Sequence, residues 1–167
     1  MLKRILFTLL CLIMVYSVAV AGYRYFEPRA YEESEEGQVY LDYETLKDYL
    51  LSSQDGATHY LFFYSRKNQD CQYVKNTVMA TVRNDTGLQI DRMIETVDIT
   101  ELEEQLQTNR LKTEWGLSSY PAFMAARVED GEIVIDNFIQ YDQNHPMMAN
   151  DIETWLQLNG IYAGPDQ

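Results

Sequence analysis

The chain has 167 residues, 46% hydrophobic and 13% aromatic, enough for one ordinary domain with a sizeable core and a short appendage. Thirteen Lys and Arg against 26 Asp and Glu give a formal net charge of −13. Phosphate binding needs clustered basic residues, so this balance argues against a nucleic-acid partner.

Lys3 and Arg4 precede ILFTLLCLIMVYSVAVAG, residues 5–22, a run without charge that is long enough to span a bilayer. The positive flank places the N-terminus in the cytoplasm and exports the remainder. Ala19-Val20-Ala21 is also an AxA-like cleavage site, so residues 1–22 are a membrane anchor or a signal peptide cut after Ala21. We read a retained, single-pass anchor, because the run is long for a cleaved segment. Cys11 lies inside it without the small residues that precede a lipidated cysteine, and reads as an inert thiol. Residues 23–37, Glu-rich and broken by Pro28, read as an acidic spacer, and residues 38–163 as one domain.

Within the domain, YLDYETLKDYLLSS (40–53) reads as a helix and THYLFFYS (58–65) as a buried strand. Cys71, Val74, Val78 and Val82 share one face of the next helix. RMIETVDI (92–99) reads as a strand, and Thr100 with Glu103 forms a capping box for ELEEQLQTNRL (101–111). Residues 122–139 read as a hairpin turning at Asp130-Gly131. Asn150 and Glu153 open a last helix with Ile152, Trp155 and Leu156 on its inner face, ended by Gly160. The order α, β, α, β, α, β, β, α predicts an α/β sandwich on a mixed central sheet flanked by helices. His59 and His145 have no second His or Cys at ligand spacing, so no metal or other cofactor is expected. Glu101, Glu103 and Glu104 read as a solvated helix N-terminus.

FYSRKNQDC (63–71) resembles the thioredoxin segment of strand, aromatic, small residue and CxxC at a helix start. WGLSSYPAF (115–123) resembles the segment leading to the cis-proline of that family, and EDGEIVI its final hairpin. The resemblance covers nearly all of the domain and implies a thioredoxin-like sandwich with a degenerate site. Asn68 stands where the family has its first cysteine, so the motif is Asn68-Gln69-Asp70-Cys71, and Phe62 stands where thioredoxins often carry a buried acid. Dithiol chemistry needs the first thiol to attack and the second to release the mixed disulfide. With Asn68 there, that cycle cannot run.

Cys71 is then either a packed side chain or a thiol activated by a helix N-terminus, the latter making a single-thiol redox protein that forms mixed disulfides. The resemblance implies a cis bond before Pro121 and pairing of the Tyr120 backbone with an extended peptide. Trp115 and Tyr64 rim that groove in this reading, with Tyr73, or are core. The expected function is that of an exported, membrane-tethered accessory protein that holds an unidentified exported peptide or protein client. By anchor and size the chain is also similar to small exported thioredoxin-like proteins of Gram-positive bacteria.

Overall fold

A computed structural model describes residues 38–53 and 56–164; the anchor and the spacer expected from the sequence lie outside the described residues. A five-stranded sheet in the order β1-β3-β2-β4-β5 carries helices on both faces. In chain order the elements are β1 (Tyr40–Asp42), a 3-10 turn (Tyr43–Thr45), α1 (Leu46–Leu51), β2 (Thr58–Tyr64), α2 (Gln69–Tyr73), a π-helical turn (Val74–Val78) and α3 (Met79–Thr86). They continue with α4 (Ile90–Met93), β3 (Glu95–Asp98), α5 (Thr100–Glu104), α6 (Asn109–Trp115), β4 (Ala122–Glu129), β5 (Glu132–Gln140) and α7 (Ala149–Leu158). Strands β1, β3 and β2 run parallel, and β4 and β5 antiparallel.

The run LFFY in β2 has no polar break because both faces of the strand are covered. Leu61 and Phe63 join Leu46, Leu50, Leu111 and Trp115 under α1 and α6. Phe62 and Tyr64 point the other way, into a second core with Cys71, Val74, Val82, Ile152 and Trp155 from the helices. Phe62 stacks on Phe123 of β4, with centroids 4.5 Å apart. Such a pair adds about 0.5–1.5 kcal/mol beyond its buried area. The β4–β5 turn has Asp130 and Gly131 at φ 53 and 77, the positive pair that a two-residue hairpin requires.

Four sequence expectations change. Residues 40–53 are not one helix: Tyr40–Asp42 pair with Thr96–Asp98 as a parallel edge strand, and Asp42 caps the 3-10 turn by accepting from Glu44 N–H at 3.0 Å. Residues 92–99 begin as the end of α4, and the strand starts at Glu95. The helix expected over 101–111 breaks at Leu106, which takes φ 56, and α6 restarts at Asn109 and runs on to Trp115. No capping box forms at Thr100: Asp98 Oδ1 accepts from Thr100 N–H at 2.9 Å, and Thr100 Oγ1 accepts from Arg66 N–H at 2.9 Å. The last helix likewise starts one residue early, with Asp151 Oδ2 accepting from Met148 N–H at 2.8 Å in place of an Asn150–Glu153 start. It ends as expected, at Gly160 with φ 69.

Candidate functional site

The C-terminal ends of the parallel strands and the start of α2 meet at Ser65 and Cys71. Asn68 is the N-cap of α2: its backbone is extended, and its Oδ1 accepts from Cys71 N–H at 3.0 Å, satisfying one of the helix's free donors. An amide thus does a structural task where a redox motif would carry a thiol. Three residues on, the helical turn carries Cys71 inward, and it is wholly buried. Its Sγ accepts from Ser65 N–H at 3.4 Å.

Burial pushes the Cys71 thiol up to about 12; the Ser65 N–H opposes this, and the nearby Glu103 and Asp70 charges add to it. Desolvation therefore outweighs the helix N-terminus, which would favour thiolate. At neutral pH the group is a protonated, packed thiol.

Ser65 is the hub of the site. It is fully buried; its hydroxyl donates to the Glu103 carboxylate and accepts from Lys67 N–H at 3.3 Å. Glu103, expected in the sequence as part of a solvated helix start, is half-buried and turned toward the thiol end of the sheet. The break at Leu106 shortens α5 and leaves Glu103 in its first turn, against β2. Of the three acids, Glu101 and Glu104 are exposed, and Glu104 pairs with Lys67.

The segment Leu117–Pro121 lies beside this hub. The Tyr120–Pro121 bond is cis. The segment is fastened to the end of β5: Ser118 N–H donates to Gln140 Oε1 at 2.8 Å, the Ser119 hydroxyl donates to the Tyr141 carbonyl, and Tyr141 N–H donates to the Pro121 carbonyl at 2.8 Å. Among the described residues, no partner takes the N–H or the C=O of Tyr120. Its ring is half-buried and packs against both cores. Burial and the facing Glu103 carboxylate hold its hydroxyl at about 12. Tyr141, facing Asp70, is raised in the same direction, first by desolvation.

The other two residues expected at a groove are core. Trp115 is 2% exposed and packs on Phe63 across the sheet from Cys71, because α6 runs four residues further than its sequence pattern indicated. Tyr64 is 8% exposed, with Lys75 Nζ 4.9 Å from its ring centre. Tyr73 is 48% exposed. The structure thus brings together Asn68, Cys71, Tyr120 and Pro121 and adds Ser65 and Glu103. A small residue directly after a buried strand was the available signal for Ser65; Glu103 had none, since its orientation depends on the break at Leu106.

The strand order and the position of the Asn68–Cys71 motif define a thioredoxin-like fold with Asn in place of the first cysteine. Among solved structures, the fold is similar to thioredoxin f2 of Chlamydomonas reinhardtii, at 14% identity over 75% of this chain and 98% of that one, with a TM-score of 0.49. It is also similar to Plasmodium falciparum thioredoxin (18% identity, 72% of this chain and 87% of that one, TM-score 0.44). A third is the first thioredoxin domain of mouse protein disulfide-isomerase A4 (16%, 84% and 85%, TM-score 0.43). These are likenesses of fold alone. No protein-family model and no curated protein matches the sequence.

Proposed function

We propose that the protein is an exported, membrane-tethered binding module that holds an extended peptide or partner protein along the Ser119–Tyr120 backbone, without dithiol redox cycling. The observation that carries this reading is the free N–H and C=O of Tyr120, on a half-exposed segment at the end of β4. Backbone groups of that kind pair with an added strand, whose main-chain bonds give affinity. The fastening to Gln140 and Tyr141 holds the segment in place before a client arrives, which lowers the entropic cost of binding.

The absence of redox cycling is supported by the Asn68 cap and by the buried Cys71 thiol, raised to about 12. A nucleophilic thiol needs exposure and a lowered pKa, and Cys71 has neither. Export and tethering rest on residues 3–22 of the sequence.

The test is a photo-crosslinking residue placed at Ser119 in the full chain in cells, compared with one at Leu158, which is 71% exposed on α7. The reading expects a discrete adduct from position 119 that is absent from position 158. Equal adducts from both positions, or none from 119, would refute it.

A further inference from the structure

Tyr120 supplies more than a backbone. Its ring packs against the core that contains Cys71, and its hydroxyl faces the Glu103 carboxylate, which the buried Ser65 hydroxyl holds in place. Ser65 in turn gives its N–H to Cys71 Sγ at 3.4 Å. The thiol, the serine, the carboxylate and the ring are thus consecutive members of one polar chain. Only its outermost member, Tyr120, belongs to a segment outside helix and strand.

Most other carboxylates at the helix and strand ends of the domain meet a cation: Asp98 meets Arg66, Glu104 meets Lys67, Asp91 meets Arg83, and Glu114 meets Lys47 and Arg110. Glu103 instead meets two neutral hydroxyls, one buried and one on the loop. A half-buried carboxylate needs its donors, so withdrawal of Tyr120 would leave part of its hydrogen-bonding capacity to be met by water.

We propose that Glu103 and Tyr120 form a latch that holds the Leu117–Pro121 segment closed over the thiol end of the sheet. Opening of the latch, rather than unfolding of the domain, is what admits solvent and reagents to Cys71. The proposal rests on the binding reading only for what opens the latch in use, a strand drawing on the Tyr120 backbone. The latch itself can be measured without a client, so the two ideas fail separately. Cys71 here is the reporter of the latch.

The experiment is alkylation of the full-length protein by iodoacetamide, followed by mass spectrometry, for the wild type, Glu103→Gln, Tyr120→Phe, the double variant and Glu104→Gln. Labelling through a local opening follows the population of the open state. Loss of a hydrogen bond to a charged group raises that population by about tenfold. Glu103→Gln and Tyr120→Phe should each speed labelling by this factor, and the double variant no further, because both remove the same contact. Glu104→Gln removes an acid from the same helix without touching the latch and should label at the wild-type rate. The rates should also be insensitive to low urea, which a route through global unfolding would not be.

Wild-type rates in both single variants would overturn the proposal. So would multiplied effects in the double variant, or acceleration by Glu104→Gln equal to that of Glu103→Gln. If Glu103→Gln lowers the denaturation midpoint, Tyr120→Phe, which keeps the ring, decides the question alone.

Discussion

Replacement of Cys71 by Ala should remove a specific part of the protein's alkaline instability. The unfolded thiol titrates near 9.0 and the native one near 12, because burial disfavours the thiolate. Above pH 9 the unfolded chain sheds this proton while the native state keeps it. The native state then holds more protons, and stability falls as pH rises. The contribution is whole below pH 9 and is lost progressively up to pH 12. At pH 10 the ratio of binding polynomials is about 11, equivalent to about 1.4 kcal/mol lost relative to pH 7. The buried tyrosines, Tyr43 among them, titrate in the same direction, and the comparison with Cys71→Ala cancels them to first order. The variant itself should lose about 1 kcal/mol at pH 7, from one buried heavy atom. Urea denaturation at pH 7 and pH 10 gives both quantities. The wild type should lose about 1.4 kcal/mol more than the variant between the two pH values, so that their stabilities become nearly equal at pH 10. Parallel losses would show that the thiol is not desolvated and would refute the account of Cys71.

Asn68→Ala should cost about 1 kcal/mol through loss of the cap, and Asn68→Asp, which keeps an acceptor, much less; denaturation midpoints separate them. Trp115→Ala should cost about 3–5 kcal/mol, as a core deletion does, while Trp115→Phe should leave crosslinking from Ser119 unchanged, because Trp115 is not at the surface. With a retained anchor, the protein should fractionate with membranes, and external protease should release a folded domain by cutting within residues 23–37. Recovery from the medium with Gly22 as its first residue would show cleavage after Ala21 instead.

The elements that could be read from the sequence are those whose burial has a period. The β2 run, the inner face of Cys71, Val74, Val78 and Val82, and the Asp130-Gly131 turn each carry their own signal, and each is where it was expected. What could not be read depended on partners distant in the chain. Tyr40–Asp42 is too short to alternate and is a strand only because β3 offers it an edge. The break at Leu106 follows no Gly or Pro, and the orientation of Glu103 depends on it. Trp115 was read as a groove residue because its helix was expected to stop at Leu111; the extra turn buries it. At the site, the Asn68-for-Cys exchange was legible as a missing thiol. That Asn68 caps the helix and that Ser65 links Cys71 to Glu103 required coordinates.

The most direct test of the central claim, binding without thiol chemistry, is to repeat the Ser119 crosslinking in Cys71→Ser and to resolve the products without reductant. The account predicts the same adduct, in the same yield, in wild type and variant, with no reductant-sensitive species in either. Loss of the adduct in Cys71→Ser, or a wild-type conjugate released by reductant, would contradict it and would make Cys71 the point of attachment.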